Sequence, residues 1–411
     1  MTSVPDSQSD GSGGFRPSML LNDTRYRGLT FQFVALVLII FLVGWLGMNL
    51  VSNLAAAGLN ISYDFLDEPA GYDINQALID YSSRSTHLRA ALVGVINTLL
   101  VAVLGCITAT IIGVTAGVLR LSKNWLVARL MSVYVEAFRN VPVLIWILAI
   151  GTVVTVSGAN PREFLTRGGA VEPNSELILG AFALTNRGFY APSVLLGPGW
   201  IAVLAALVGG IVGALLWRRH VRQTLFKHGK LLPGWPAWAI LVLPALVVQL
   251  VLTPVSLSMP DVASNNFNIQ GGTLIGKPLI ALWLALSVYT GAFIAENVRA
   301  GILSVSRGQT EAAAALGLRP RRIMNLVVLP QALRVIIPPL ISQYLNLTKN
   351  SSLAIAVGYA DITATLGGIT LNQTGRAIES VLLLMLFYLV ISLSISAVMN
   401  VYNASVALKE R

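Results

Sequence analysis

Apolar residues in this chain come in long unbroken blocks. They show neither the every-second-residue alternation of half-buried strands nor the three-and-four spacing of soluble helices. A helix needs about 20 such residues to cross the hydrocarbon of a bilayer. Eight stretches reach or approach that length: 31–52, 88–119, 126–156, 198–217, 237–253, 278–303, 334–358 and 379–402. The third contains Arg129, Glu136, Arg139 and Pro142, which predicts an interfacial amphipathic helix followed by a shorter span from near Val141. The expected fold class is therefore all-α and polytopic, with about eight transmembrane helices.

Polar positions gather between the blocks, and their charges orient them. With the N-terminus inside, cytoplasmic segments hold 19 of the 28 Lys and Arg, outer loops hold seven, and Arg139 and Lys349 remain within spans. The loop 53–87 instead carries Asp64, Asp67, Glu68, Asp73 and Asp80. Both termini are expected in the cytoplasm. The order along the chain is then a Ser/Gly/Asp-rich disordered tail (1–30), a span (31–52), an acidic outer loop (53–87), a helical block (88–156), an insertion holding a helical hairpin (157–277), a second helical block (278–402) and a short tail (403–411).

Composition agrees: 55% of residues are hydrophobic, 11% are charged and the mean hydropathy is +0.73, against about 25% charged in soluble domains. The net charge of +10 is scattered through short loops, which reads as topology and not as a nucleic-acid surface. Cys106 is the single cysteine, and His87, His220 and His228 are too dispersed for a metal site. Leu54–Ala57 resembles a signal-peptidase site, but the apolar run before it has the length of a span, so it reads as a retained anchor. The stretch GGTLIGKP, Gly271–Pro278, nearly spells a phosphate-binding loop. Pro278 stands where a Mg²⁺-binding hydroxyl is needed and lacks an N–H, so no energy source is expected in this chain.

Between two spans lies EAAAALGLRPRRIMNLVVLPQALR, Glu311–Arg334. Gln309–Leu316 predicts a short alanine-rich helix, Gly317 a left-handed stop, and Pro320 an end to continuation. Arg319, Arg321 and Arg322 form a basic collar, and Leu329–Pro330 predicts a second bend. A thin rod able to enter a partner's groove and an ordinary loop helix are both compatible with this pattern.

Glu311, Ala312, Ala313, Gly317, Val327, Leu329 and Pro330 resemble the EAA signature of the permease subunits of ABC importers, with Val327 at the usual Ile position. The blocks 94–122, 134–148, 289–317 and 329–358 are similar to the polar amino-acid (histidine/glutamine-type) branch, and the enlarged layout looks like the general L-amino-acid permeases of Gram-negative bacteria. The resemblance implies a type I importer-like domain of five core helices plus three extra spans, in the bacterial inner membrane, with the loop 53–87 in the periplasm. It implies that 307–330 is the coupling loop, with Gln309, Glu311, Ala312, Ala313, Gly317 and Arg319 docking on a separate ATPase. ATP and Mg²⁺ would be bound by two copies of that partner, with no cofactor in this chain. A second permease, a periplasmic amino-acid-binding protein and the lipid bilayer complete the implied partners.

An amino-acid substrate needs an acceptor for its ammonium and donors for its carboxylate. Glu296 is the leading acidic candidate, with Tyr289 and Phe293 on its face of the helix. Its rivals are pairing with Arg299 or a subunit interface. Arg139 and Asn140 offer a charge beside a broken backbone; the rival for Arg139 is a snorkelling topology residue. The family's Arg-Gly-Thr-Pro block here reads Arg139-Asn140-Val141-Pro142, which removes a hydroxyl. Lys349, Asn350, Ser351 and Ser352 interrupt a span with donors, for substrate or for helix–helix bonding. An ion-coupled secondary transporter is the alternative reading of the whole chain; a membrane enzyme finds no nucleophile–base pair or metal cluster to support it.

Overall fold

The computed structural model describes residues 24–58, 60–164, 177–195, 200–229, 232–252, 256–261 and 269–406. Most of the expected tail 1–30, and 407–411 of the C-terminal tail, lie outside them. By its internal contacts the chain divides into two units, 1–63 and 64–411. The first is a single helix, α1 (Thr24–Ala56), which starts seven residues before the expected span at 31 and so shortens the expected tail. Tyr26 and Thr30 already belong to it, the Thr30 hydroxyl donating to the Tyr26 carbonyl at 3.0 Å.

The second unit is built on α2 (His87–Leu119) and α7 (Lys277–Leu303). Between them run α3 (Trp125–Asn140), α4 (Val143–Val156), α5 (Trp200–His228) and α6 (Pro236–Leu252), with short strands β1 (Ala183–Leu184), β2 (Gly188–Ala191), β3 (Ser193–Leu195), β4 (Ser256–Ser258) and β5 (Thr273–Gly276). After α7 come α8 (Arg307–Ala315), α9 (Pro320–Ile323), a π turn (Met324–Val328), α10 (Leu329–Asn350), a 3₁₀ segment (Ser351–Val357), a π segment (Thr363–Thr370), α11 (Leu371–Thr374) and α12 (Ala377–Val406).

Helices in lipid gain nothing from burying apolar surface against one another, so close van der Waals fit decides who packs with whom. Glycines supply it. A Cβ on Gly117 would stand 2.7 Å from the Ala295 carbonyl, and one on Gly113 would stand 2.8 Å from that of Gly291. These contacts also fix direction: residues late in α2 meet residues late in α7, so the two run parallel. Gly105 of α2 packs on Leu347 of α10, and Gly301 of α7 on Ala332 and Ile336, so α10 runs opposite to both. Val101, Ala109, Ile147, Leu282, Leu286, Ile294 and Leu347 fill the shared core. In the hairpin, Gly210 and Gly213 of α5 meet Ile240 and Leu241 of α6, while Gly209 has no described atom within 4 Å of where its Cβ would stand.

Among the described residues, six helices are long and apolar enough to cross a membrane, or seven if the bent pair α3 and α4 is one span. That pair breaks at Val141–Pro142 with a bend of 110°. Helix α6, described over 17 residues, corresponds to the fifth expected segment (237–253) and lies at the lower limit of a span. The expected span 334–358 begins earlier: α8 ends before Pro320 as expected, but a new run of helix from Pro320 to Val357 passes the predicted bend at Leu329–Pro330. Pro320 occupies the first position of a new helix, where its missing N–H costs nothing. Pro330 has no N–H for the turn before it, and the chain widens there into the π turn instead of bending.

The insertion is less purely helical than its composition suggests. Strand β2 pairs antiparallel with β1 and β5, and β3 with β4. Phe164, Ala183, Tyr190 and Ile269 form a small separate core beneath them. The phosphate-loop look-alike is strand β5 running straight into α7, so its backbone is paired with β2 along Gly188–Ala191 and does not curl into a cradle. Most of the acidic loop is not loose: from Asp64 it begins with a 3₁₀ turn and closes on α2 through His87 N–H to the Glu68 carbonyl at 2.9 Å.

Candidate functional site

Two constellations stand at opposite ends of the bundle. At the end where α7 finishes, Glu296 is the hub. Arg120, which caps α2, donates to one carboxylate oxygen; Arg139 from the end of α3 lies 3.6 Å from that same oxygen, and Arg299 lies 3.3 Å from the other. Arg120 is the buried partner, with 10% of its side chain exposed against 42% and 37% for Arg139 and Arg299. The Arg120 contact therefore dominates, since exposed ion pairs add little. One carboxylate among three guanidinium groups leaves this end of the bundle positive.

The hub continues into an aromatic row. The Arg139 guanidinium lies 5.5 Å from the centre of the Phe293 ring, and Phe293 lies 5.1 Å from Tyr289. Tyr289, Phe293 and Glu296 share a face because positions three to four apart on a helix align; the knee at Val141–Pro142 is what brings Arg139 to that face. Phe138 stacks on Trp146 across the knee at 3.9 Å, and the Tyr134 hydroxyl donates to the Val288 carbonyl at 2.6 Å. Asn140 is exposed at the knee itself.

Lys349, Asn350, Ser351 and Ser352 are not part of this cluster. They sit where α10 tightens into the 3₁₀ segment that Gly358 closes in a left-handed conformation (φ 73°). Ser351 is buried and its hydroxyl donates to the Thr348 carbonyl at 2.7 Å, whereas Lys349 is exposed. Val357, a few residues on, packs beside Ala281 and Gly151. Ala281 and Glu296 are 15 residues apart on one helix, about 22 Å of rise. The two halves of the sequence-predicted path thus lie near opposite ends.

At the end where α7 starts is a cavity of about 530 Å³. Asp73, Asn75 and Gln76 of the acidic loop line it, as do Asn372, Gln373 and Tyr359. Its frame is polar and well bonded. The Asn97 amide donates to the carbonyls of Gln76 (2.8 Å) and Ala360 (2.9 Å), and the Gln76 side-chain oxygen accepts the Gly276 N–H at 3.0 Å. Asn97 is fully buried, so a single side chain ties α2 to both connections. Nearby, Asp361 caps the π segment by accepting the Ala364 N–H at 2.8 Å, and burial pushes its carboxyl up to about 6.

The expected docking residues also group. Helix α8 runs Arg307–Ala315 and ends at Gly317, whose φ is 76°. Of its alanines only Ala313 is buried, at 6% exposure. Gln309, Glu311, Ala312, Gly317 and Arg319 are all exposed, and Leu316 is 82% exposed. The rod presents small side chains and one large apolar one.

Sequence reasoning missed Arg120, Asn97 and Lys277. Arg120 passed as a topology residue at a span end, and Lys277 went with the rejected phosphate loop. Asn97 was visible as an isolated amide inside an apolar block, which is a signal in its own right.

Residues 236–408 match the family model described as the inner membrane component of binding-protein-dependent transport systems. The chain is 49% identical to the glutamate/glutamine/aspartate/asparagine transport system permease protein BztB of Rhodobacter capsulatus, over 97% of this chain and 98% of that protein. It is 45% identical to the general L-amino acid transport system permease protein AapQ of Rhizobium johnstonii, over 98% and 97%. The probable glutamine ABC transporter permease protein GlnM of Bacillus subtilis is 33% identical over 55% of this chain but 95% of its own length.

Proposed function

The chain belongs to the amino-acid permease family of binding-protein-dependent ABC importers, and from that premise we propose how its parts divide the work. It is a multi-pass inner-membrane permease subunit through which an ATP-driven importer passes amino acids. The ion-coupled alternative is not favoured, since relatives matched along nearly their whole length are permease proteins of multi-component transport systems. In the assembly we propose, both termini are cytoplasmic, so that α7 starts outside and ends inside. Two ATPase subunits, which bind ATP and Mg²⁺, grip the α8 rods of this chain and of a second, related permease, and a periplasmic binding protein delivers the amino acid.

The observation that carries this reading is the exposed α8 rod with its left-handed glycine stop. Rod and span are joined by only Ser304–Ser306, the Ser304 N–H still bonded to the Ala300 carbonyl at 2.9 Å, so a pull on α8 passes into the inner end of α7. Glu296 lies seven residues before the end of that helix and ties it to α2 and to the knee. A shift of α7 would exchange Arg139 between the carboxylate and the Phe293 face and so open or close the inner mouth. Arg139, Asn140, Tyr289 and Glu296 are then inner-path residues, and Lys349, Asn350, Ser351 and Ser352 belong to the outer half.

Purification in mild detergent tests the assembly. An ATPase chain and a second permease should travel with this protein, and vesicles holding the complete system should take up amino acid only with ATP. Uptake by the isolated chain, driven by a sodium or proton gradient without ATP, would overturn the reading.

A further inference from the structure

Lys277 is charged and buried, and nothing in the mechanism above uses it. It opens α7 and is only 7% exposed, yet among the described residues no carboxylate pairs with it. Two of its N–H bonds go to the carbonyls of Thr155, in the last turn of α4, and Ser157, which caps it, each at 2.6 Å. Those carbonyls carry the negative end of a helix dipole and offset part of the cost of burying an ammonium. They do not complete it, because an ammonium has three donors. A cap alone could be made by a neutral group at far lower desolvation cost. Lys277 is also among the residues lining a cavity of about 330 Å³, together with Thr152, Thr155, Val156, Ala281 and Val357. None of the residues lining that cavity is acidic.

One buried cation with a donor to spare, on a cavity without acids, is a receptor for an oxygen anion. The neighbouring 530 Å³ cavity has the complementary character: the two share Pro278, and the second carries Asp73 and four side-chain amides that suit a zwitterionic head group. We infer that Lys277 is a specificity residue at the outer end of the path, receiving the side-chain carboxylate of acidic amino acids. The inference rests on the amino-acid importer reading and adds to it a substrate preference built into the permease itself.

The test uses the complete complex in vesicles, with the binding protein unchanged, comparing ATP-dependent uptake of glutamate and glutamine. Lys277→Gln should lower kcat/KM for glutamate by about tenfold, the size of one lost hydrogen bond to a charged group, and leave glutamine within about threefold. Lys277→Arg should keep most of the preference. Should Lys277→Gln fail to assemble, Thr152→Asp sets a negative charge on the same wall with Lys277 and its carbonyl partners intact, and should disfavour glutamate in the same way. An equal loss for both substrates, or no loss, would overturn the inference and leave Lys277 as a helix cap. A wild-type complex with no ATP-dependent uptake of either amino acid would instead overturn the importer reading, and the role of Lys277 with it.

Discussion

Glu296 has far more positive charge around it than its own charge can balance. Replacing it with glutamine would leave Arg120, the least exposed of its three partners, facing Arg139 and Arg299 with no counter-charge. Glu296→Gln should therefore destabilise the permease by about 1–3 kcal/mol, a range discounted for partial exposure. The thermal midpoint in detergent should fall, ATP-dependent uptake should slow, and adding Arg120→Met should restore part of the midpoint. An unchanged midpoint would mean that the cluster behaves as a solvated surface. The sequence made all of this cluster but Arg120 legible. Tyr289, Phe293 and Glu296 follow from helical spacing, and Arg139 stood out as a charge within a block. Arg120 did not, because it lies 176 positions before Glu296 and its pairing depends on the parallel course of α2 and α7.

Elements were readable where local chemistry decides them and less so where a neighbour does. The knee follows from Pro142, and the end of α8 follows from Gly317. A Cβ on Gly317 would meet no atom of the described residues within 4 Å, so substitution there probes mainly backbone and partner. Gly317→Ala should cost about 1 kcal/mol of local strain and reduce coupled uptake modestly. Gly317→Leu should abolish coupling while the bundle melts at an unchanged temperature, since only a partner would feel the added bulk. ATP hydrolysis and uptake measured together in vesicles decide this; full coupling in the leucine variant would remove α8 from the docking surface. The run of helix from Pro320 to Val357 was harder to foresee. A proline reads as a stop in isolation, yet it can open a new helix or be absorbed by a π turn when the flanking helix is held by packing.

For the molecule as a whole, the parallel course of α2 and α7 sets a parity. To start both at the same face, the chain must cross the membrane an odd number of times between them, which the α3–α4 pair with α5 and α6 satisfies. The helical architecture was visible in apolar block lengths. The small sheets of the insertion were not, because strands of two to four residues are shorter than any periodicity can register.

The arms of the inserted hairpin are unequal. Helix α5 is described over 29 residues and α6 over 17, rods of about 43 Å and about 25 Å beside a hydrocarbon layer of about 30 Å. For α6 to cross, lipids around the short arm must thin, so a thicker membrane would cost this protein more. Uptake should be fastest in vesicles of shorter acyl chains and decline as the chains lengthen, and a permease lacking the hairpin should lose that dependence. Such a subunit would be tuned to its host membrane as well as to its solute.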